Sequence, residues 1–312
     1  MKLASYLVDG REHFGIVVVD GIVDLSSRLP EVPTLKALLE LGLDSLNTLD
    51  LTSRPDYSLK DVTLLPVITN PGAVFCIGMN THSHCAEVTA FSGHEKLPPK
   101  PYIFTRTARS HVGHGTAMEK PNNSPLYDFE GEIAIVIGKL GRHVSEADAL
   151  DYVAGYSIYN DGSLRDYQCH SPMFTAGKNF PKSGAFGPWL VTTDEITDPT
   201  ALTLTTRLNG NVVQEMPYAD LIYKFPELIS YISEFTELQP GDVIVTGSAA
   251  GVGLFRKPQL WMQEGDVCEV EVRGVGVLRN DVIASQGINK APVSKTDPAA
   301  AFQEALGIYK QH

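Results

Sequence analysis

The sequence predicts a β-rich α+β protein with a small N-terminal β-rich domain ahead of a larger mixed-sheet domain. Segments dense in valine and isoleucine recur along the 312 residues and are separated by Gly, Pro and Asn turn signals, which is typical of short strands. Helical and strand patterns do not alternate at regular spacing, which disfavours a Rossmann sheet or a TIM barrel. Near residue 68 the composition shifts to Pro and Gly punctuation, and we place the domain boundary there.

The N-terminal domain, residues 1–68, is predicted from two hairpins and one helix. The stretches "LASYLVDG" and "FGIVVVDGIVDLS" contain Asp-Gly turns, which favour hairpins. The amphipathic run Thr34–Gly42 predicts a short helix closed by glycine. The larger domain is then expected over residues 69–288, and residues 289–312 form a C-terminal extension that is polar and then Ala-rich.

The larger domain is predicted to be built mainly from strands. The strand-like stretches are "GEIAIVIG", "VAGYSIYND", "GPWLVT", "ALTLTTRLNGNVVQEM" and "VCEVEVRGVGVLRNDVI". An Asn209-Gly210 turn marks a hairpin inside the fourth of these. The stretch "FPELISYISEF" predicts a helix with Leu228, Ile232 and Phe235 along one face.

Composition and charge disfavour several classes of function. The formal net charge of −12 argues against nucleic-acid binding, because phosphate contacts need clustered Lys and Arg. The four cysteines include no CxxC spacing, which favours reduced thiols over a disulfide framework or a zinc knuckle. No apolar run approaches the length of a membrane span, and the N-terminal stretch lacks the apolar core of a signal peptide. We therefore expect a soluble cytoplasmic protein with neither nucleic-acid nor membrane partners.

Two glutamates stand at the start of the most apolar strand. In "YDFEGEIAIVIGK" (Tyr127–Lys139), Glu130 and Glu132 share one strand face, about 6.6–7 Å apart. Buried like charges repel and are costly to desolvate, and a divalent cation resolves both problems. Oxygen-only ligands suit Mg²⁺, Mn²⁺ or Ca²⁺. An edge strand with one hydrated end explains this pattern equally well when it is taken alone.

A third carboxylate, Asp161, favours the metal hypothesis. The strand "VAGYSIYND" breaks at Asn160-Asp161-Gly162, and strand ends often present functional groups. The alternative is a turn aspartate bonded to its own backbone. Asp166 has the same alternative, because it can pair with Arg165 or cap a turn, and we leave it out of the metal site.

A second candidate group lies upstream, in "CIGMNTHSHCAEVTAF". On a helix, His84 and Glu87 share a face, and a glutamate beside a histidine can orient the ring as a base for activating water. A solvated pair on an exposed helix is the usual alternative. His82 competes with His84, and spacing alone does not choose between them.

A glycine-rich stretch, Thr246–Gly253 ("TGSAAGVG"), follows the strand "DVIVTG". Its backbone amides could cradle a carboxylate or an oxyanion. A tight structural turn is equally consistent with the pattern. The stretch lacks GxxxxGK[ST], so it is not a nucleotide P-loop.

Together these segments resemble the fumarylacetoacetate hydrolase family from about Pro71 to Ile288. The matching blocks, in the family's order, are "GMNTHSHCAE", "DFEGEIAIVIGK", "GYSIYNDGSLRDYQ", "TAGKNF", "GAFGPWLVT", "LNGNVVQEM" and "LQPGDVIVTGSAAGVG". Each block is modestly specific, and all seven in sequence are strongly specific. The resemblance implies a mixed β-sheet roll or barrel of the fumarylacetoacetate hydrolase type, and a homodimer.

The resemblance also implies a ligand set. The family holds a divalent metal, usually Mg²⁺ or Mn²⁺, on Glu-x-Glu plus a downstream Asp, and these correspond to Glu130, Glu132 and Asp161. The Lys of the family's Gly-Lys block corresponds to Lys178, and the Gln that closes its Arg-Asp-x-Gln run corresponds to Gln168. Both residues face the substrate in relatives.

In the acylpyruvase-like branch of the family, a lid helix carries His-x-x-Glu six residues after a glycine. Here Gly78 leads to His84 and Glu87, so the resemblance selects His84 over His82. We expect Glu87 to orient His84, and His84 to take a proton from water.

The chain departs from the family pattern at three places. Thr81 replaces a frequent Tyr, Arg106 replaces a frequent Lys, and Ser248 stands in the block that often reads Thr-Gly-Thr-Pro. Arg106 could clamp a substrate carboxylate, and a structural ion pair is as good an interpretation. Ser248 keeps a hydroxyl, so we expect an oxygen-binding role there.

The resemblance implies a divalent-metal-dependent hydrolase that cleaves a carbon–carbon bond in an acylpyruvate-type 2-oxo acid or β-diketone, with a role in aromatic catabolism. The metal and Lys178 would stabilise an enolate, and Gln168 would position substrate or water. The alternatives on the same scaffold are a 5-carboxymethyl-2-hydroxymuconate-type isomerase or decarboxylase and an oxaloacetate decarboxylase. A metal-dependent binding protein is the alternative from a different class, and the His84/Glu87 pair argues against it, since simple binding needs no base.

Overall fold

The computed structural model describes residues 1–19, 21–49, 54–92 and 99–285. The predicted C-terminal extension, residues 289–312, lies outside them. The described helices are α1 (Leu35–Leu41), α2 (His82–Ser92), α3 (Arg165–Gln168), α4 (Thr175–Lys178) and α5 (Phe225–Phe235). The described strands are β1 (Lys2–Val8), β2 (Arg11–Val18), β3 (Gly21–Asp24), β4 (Thr63–Leu64), β5 (Val74–Gly78), β6 (Tyr102–Thr105), β7 (His111–Val112), β8 (Met118–Lys120), β9 (Tyr127–Asp128), β10 (Gly131–Ile137), β11 (Val153–Asn160), β12 (Ser163–Leu164), β13 (Gly184–Thr192), β14 (Thr203–Leu208), β15 (Asn211–Pro217), β16 (Val243–Val245), β17 (Val267–Val272) and β18 (Gly276–Ala284).

The main sheet is mixed, as the sequence predicts. Its order is β3-β2-β1-β13-β11-β10-β16-β5-β6, with β4 beside β1 and β7 beside β13. Most neighbours are antiparallel, whereas β16 and β5 run parallel. Among the described strands this path ends at β3 and β6 without closing, so the sheet is open and the barrel alternative is not formed.

The N-terminal strands continue the main sheet. β1 pairs with β13 through Leu3 and Leu190, so β1, β2 and β3 extend the edge of the sheet that contains β10 and β11. A domain boundary at residue 68 stays a prediction.

A second sheet of five strands, β15-β14-β17-β18-β8, faces the start of β10. Its β14–β15 hairpin turns at Asn209 and Gly210, with φ of 52° and 78°. Two consecutive residues with positive φ are what a type I′ turn requires, and this confirms the predicted hairpin.

The central strand β10 is buried on both faces, because every one of its seven residues is buried. Ile133, Ile135 and Ile137 belong to one hydrophobic cluster, and Ala134 and Val136 belong to another. Alternate side chains of a strand point to opposite faces, so this division shows that both faces of β10 pack against apolar side chains.

The predicted helices are confirmed with one exception in packing. Thr34 caps α1 by accepting a hydrogen bond from the Ala37 amide at 3.2 Å, and Gly42 ends the helix with φ of 94°. In α5, Leu228 and Ile232 are buried, but Phe235 is 54% exposed. The prediction for Phe235 was wrong because it is the last residue of the helix, where its ring packs on Tyr231 and not on the core.

The described part of the chain contains no helix that is both long and apolar enough to cross a membrane.

Candidate metal and catalytic site

Three buried carboxylates converge at one edge of the main sheet. Antiparallel pairing sets Gly131 opposite Asn160, so the start of β10 meets the end of β11. Glu130, Glu132 and Asp161 therefore lie together, and one oxygen from each lies within 4.8 Å of the others. Their exposed fractions are 5%, 3% and 1%. Burial on this scale is inconsistent with an edge strand that has a hydrated end.

Lys178 joins two of these carboxylates. It ends the short helix α4, and its Nζ donates to Glu130 Oε2 and Asp161 Oδ2. The Lys178 side chain is 3% exposed. Lys178 is therefore not a surface lysine, and its ammonium group contacts two of the predicted metal ligands.

Arg106 lies beneath the carboxylates and uses all five of its N–H donors on the protein. One Nη1 hydrogen bond reaches Asp161 Oδ1 at 2.6 Å and another reaches the Gly162 carbonyl at 3.0 Å. The other three donate to the Ser110 hydroxyl and carbonyl and to the Ser183 hydroxyl. In this arrangement Arg106 holds Asp161 and has no donor left for a substrate, which differs from the clamp considered from the sequence and matches the structural ion pair.

Arg165 organises the other side of the carboxylate group. Its Nε donates to Asp128 at 2.9 Å, its Nη2 to Glu130 at 2.8 Å and its Nη1 to the side-chain oxygen Oε1 of Gln168 at 2.8 Å. The last contact fixes the amide of Gln168, so that its NH₂ group points away from Arg165. Asp166, the partner considered for Arg165 from the sequence, instead accepts a hydrogen bond from Ser124 at 2.6 Å.

The site carries an excess of negative charge. Among the described residues, the three candidate ligands, their Lys and Arg partners and Asp128, which shares Arg165, comprise four carboxylates and three cations, a formal sum of −1: Asp128, Glu130, Glu132 and Asp161 against Arg106, Arg165 and Lys178. A divalent cation would bring this sum to +1, which would complement an anionic ligand.

The two glutamates experience opposite electrostatic environments. Burial raises the pKa of Glu130, but the charges of Arg165 and Lys178 lower it by more, so its pKa lies well below the ordinary value. Burial also raises the pKa of Glu132, and the nearby Asp161 and Glu130 charges raise it further, well above the ordinary value. Glu132 is thus the carboxylate that most lacks a cation. Three buried oxygen ligands with this deficit fit a hard divalent ion.

The His84/Glu87 pair lies on α2 and is intact. His84 Nδ1 lies 3.1 Å from Glu87 Oε2, and the Gly251 amide donates to Glu87 Oε1 at 3.0 Å. His84 is buried and its ring packs against Phe255, with 5.8 Å between centroids, whereas His82 is exposed. Because Glu87 holds Nδ1, the ring nitrogen left for proton transfer is Nε2.

The glycine-rich loop after β16 directs its amides at the protein's own carboxylates. The amide of Gly247 donates to Glu132 at 2.5 Å, and the amide of Gly253 donates to Asp128 at 2.7 Å. Gly247 has φ of 107°, and a Cβ there would lie 2.7 Å from the Asn80 Cβ. Glycine is required at this position, and the predicted anion cradle is present with internal carboxylates as its occupants.

Ser248 lies in the same loop, and its Oγ accepts a hydrogen bond from Gln214 Nε2 at 2.8 Å. Sequence reasoning missed Gln214 and Asp128 as members of the site. Asp128 had a usable signal, because residues 128, 130 and 132 are all acidic at the two-residue period of a strand. Gln214 falls in the family block "LNGNVVQEM", but its place in the site depends on how the second sheet packs, which the block does not indicate.

The chain matches the family described as "Fumarylacetoacetate (FAA) hydrolase C-terminal" over residues 73–283. It is 38% identical over 280 residues to "Oxaloacetate tautomerase fahd2, mitochondrial" of Xenopus laevis, and the match covers 87% of this chain and 86% of that protein. A solved fumarylacetoacetate hydrolase from Exiguobacterium antarcticum is 33% identical, with a TM-score of 0.80 and coverage of 91% of this chain and 100% of that one. A maleylpyruvate hydrolase from Sphingobium sp. SYK-6, in complex with manganese(II) and pyruvate, is 25% identical with a TM-score of 0.75 and covers 92% and 100%. The chain belongs to the fumarylacetoacetate hydrolase family.

Proposed function

We propose that this protein interconverts the enol and keto forms of a small 2-oxo acid such as oxaloacetate, with a divalent cation held by Glu130, Glu132 and Asp161. The observation that carries the proposal is the buried group of three carboxylates, flanked by one buried lysine. The Xenopus laevis relative named as an oxaloacetate tautomerase supports the choice of reaction, since it aligns over most of both chains.

The cation fits the donor set, and Mg²⁺ or Mn²⁺ is the ion we propose; Ca²⁺ also accepts oxygen ligands. The Sphingobium structure with manganese(II) and pyruvate supports Mn²⁺ and a 2-oxo acid as ligand class. When bound, the cation supplies positive charge that stabilises negative charge on the 2-oxo group.

The residues around the carboxylates divide the proton chemistry between them. In ketonisation, the enol oxygen loses a proton to solvent and carbon 3 gains one, so the composition of the substrate is unchanged. We assign the proton transfer at carbon 3 to His84 Nε2, with Glu87 holding the ring and stabilising its protonated form. Lys178 stabilises charge on the substrate oxygen, and the Gln168 NH₂ group binds the same end of the substrate.

Arg106 and Arg165 act as positioning residues in this proposal. Each holds a carboxylate of the group in place, Asp161 and Glu130 respectively, while the donors of Arg106 are fully used by the protein. Substrate anchoring then falls to the cation, to Lys178, to Gln168 and to Ser248.

A second candidate is the carbon–carbon bond hydrolase predicted from the sequence. The 3.1 Å contact between His84 and Glu87 favours it, because a histidine held by a glutamate is also the arrangement that activates water. The Exiguobacterium antarcticum protein, a fumarylacetoacetate hydrolase at 33% identity, supports it as well. Decarboxylation or isomerisation of a 2-oxo acid uses the same stabilised enolate and yields different products.

A panel assay separates these functions. The purified protein with Mn²⁺ is given oxaloacetate enriched in its enol form, an acylpyruvate and a muconate-like diacid, and ultraviolet absorbance follows the enol while product analysis follows carbon dioxide and cleavage products. Enol loss without carbon dioxide or cleavage supports the tautomerase. Cleavage of the acylpyruvate supports the hydrolase instead, and no change on any substrate supports a binding protein.

The variant Glu132→Gln tests the proposed metal site. Glu215→Gln is its matched control, because Glu215 is exposed on β15. We expect Glu132→Gln to lose Mn²⁺ binding by calorimetry and to lose turnover, while Glu215→Gln keeps both. Unchanged Mn²⁺ affinity in Glu132→Gln would contradict the assignment of the metal site.

Two further predictions belong with this proposal. We propose a homodimer, which sedimentation can test. A cytoplasmic location also stays a prediction; the Xenopus laevis relative is named as mitochondrial, and fractionation of the native host distinguishes the two locations.

A further inference from the structure

A buried glutamine, Gln214, links the two sheets next to the carboxylate group. It lies on β15 in the five-stranded sheet and is 2% exposed. Its Oε1 accepts a hydrogen bond at 3.0 Å from the amide of Gly131, which belongs to β10 in the main sheet. Gly131 is the residue between the two glutamates of the candidate metal site, so Gln214 touches the backbone that carries both.

The orientation of the Gln214 amide is set by its backbone partners. The Gly131 N–H can only donate, so it must face Oε1. The Ala249 carbonyl, at 2.9 Å, can only accept, so it must face Nε2. The Ser248 hydroxyl lies 2.8 Å from the same Nε2.

This orientation determines what the Ser248 hydroxyl can do. An amide nitrogen has no lone pair to offer, so Ser248 Oγ accepts the hydrogen bond from Gln214, and its own hydrogen must point elsewhere. The acceptor it has among the described residues is the Ala249 carbonyl at 3.5 Å, which is at the limit of a hydrogen bond and is already engaged by Gln214. The Ser248 hydrogen is therefore available to a ligand.

Ser248 is also held in a fixed place relative to the candidate metal ligands. The preceding residue, Gly247, donates its amide to Glu132, and the Ser248 carbonyl accepts a hydrogen bond from Thr81 Oγ1 at 2.7 Å. Three hydrogen bonds form a closed path between β10 and the loop: Gly131 to Gln214, Gln214 to Ser248, and Gly247 to Glu132. The Thr81 bond fixes the loop from another side. The hydroxyl is therefore carried by a residue whose preceding amide is bonded to Glu132, one of the candidate metal ligands.

We propose that Gln214 is a positioning residue, which commits the Ser248 hydroxyl to donating a hydrogen bond to an oxygen of the 2-oxo acid bound beside Glu132. Gln214 does not itself touch the substrate. The inference rests on the proposed function, since it requires an oxygen-bearing ligand at this site.

The test is a double-mutant cycle of Gln214→Glu and Ser248→Ala. In its ionised form, Gln214→Glu keeps an acceptor for the Gly131 amide but replaces the donating nitrogen with an oxygen that only accepts, so the Ser248 hydrogen turns toward the new carboxylate. The assay is therefore run across a pH series. We expect each single variant to lower kcat/KM by roughly tenfold, the worth of one hydrogen bond. The kcat/KM of the double variant should be no lower than that of the less active single variant. Gln263→Glu adds the same charge on an exposed side chain and is the matched control.

A second readout is independent of turnover. Oxalate, an inert analogue of the enolate of a 2-oxo acid, is titrated into the Mn²⁺-loaded variants by calorimetry, and its Kd should show the same non-additive pattern. Thermal unfolding of the metal-free proteins confirms that each variant folds. If Gln214→Glu does not fold, Gln214→Met replaces it, and Ser248→Ala should then have a smaller effect in that background than in the wild type.

The inference is overturned if Ser248→Ala lowers kcat/KM and oxalate affinity by the same factor in the wild type and in the Gln214 variant, since the two residues would then act independently. Failure of the proposed function looks different. In that case the wild type turns over no member of the substrate panel, while oxalate binding still shows the coupling of Gln214 and Ser248 and supports the inference.

Discussion

Replacing Lys178 with methionine tests the charge balance of the candidate site. The Lys178 ammonium contacts Glu130 and Asp161, and the side chain is 3% exposed. Methionine reproduces the length and apolar volume of the lysine stem without its charge. Two buried carboxylates each lose a cationic partner, while the rest of the packing is preserved.

The expected magnitude follows from burial. Removing one partner of a buried ion pair costs about 3–5 kcal/mol, because it leaves an uncompensated charge. We expect a loss of that size in the free energy of unfolding of the metal-free protein at neutral pH. Lys182→Met is the matched control. Lys182 Nζ lies 2.7 Å from Glu119 Oε1 and the Lys182 side chain is 54% exposed, so removing its charge should lower the free energy of unfolding by about 0–1 kcal/mol.

The effect has a definite pH dependence. Burial raises the pKa of Glu130, but Arg165 and Lys178 lower it by more. A carboxylate with a lowered folded pKa contributes stability that is present above its unfolded pKa and lost as the pH falls through the folded pKa. The pKa of Glu130 should rise in Lys178→Met, so the difference between variant and wild type should shrink in acid, where the carboxylate takes up a proton.

Urea denaturation of both lysine variants, followed by circular dichroism with and without Mn²⁺, measures these quantities. A ligand at 100 times its Kd stabilises the folded state by about 2.7 kcal/mol, so Mn²⁺ should restore much of the loss in Lys178→Met by supplying the missing charge. If metal-free Lys178→Met is within about 1 kcal/mol of Lys182→Met at pH 7, the argument from buried charge fails.

Three further variants address separate parts of the structure. His84→Ala should keep Mn²⁺ affinity and lose turnover; turnover at the wild-type rate would show that His84 is not the base. Gly131→Ala should lower the free energy of unfolding, measured in urea, by about 1–3 kcal/mol, because a Cβ at this position would lie 2.1 Å from Thr206 Oγ1 on the second sheet. An unchanged urea midpoint would show that the two sheets can move apart to admit the methyl group without cost. Burial raises the pKa of Asp24, but hydrogen bonds to it lower the pKa by more, so its contribution to stability should be lost as pH falls below about 4, and Asp24→Asn should flatten that acid limb of the stability curve.

Features set by neighbouring residues along the chain were predictable. The division of β10 between two hydrophobic clusters follows from the two-residue period of a strand. The cap at Thr34 and the turn at Asn209-Gly210 follow from local backbone chemistry. The family blocks added the expectation that Glu130 and Asp161 lie together, which residue spacing alone left open.

The partners of the buried charges were not predictable, because they are set by strand register. Pairing of Gly131 with Asn160 is a contact between residues far apart in sequence, and it decides which carboxylates share a site. For the same reason Arg165 reaches Asp128 and Glu130 and leaves its neighbour Asp166 to Ser124.

The sequence by itself thus determined the strand-rich architecture, the local turns and caps, and the chemical character of the candidate site as a group of oxygen ligands. Only the tertiary structure decided which groups surround the site: the donors of Arg106 are divided among Asp161, Gly162, Ser110 and Ser183, and Gln214 reaches from the second sheet to Gly131. The physical reason is that backbone periodicity is encoded over a few residues, whereas the compensation of a buried charge depends on whichever side chains the packing of two sheets brings within hydrogen-bonding distance.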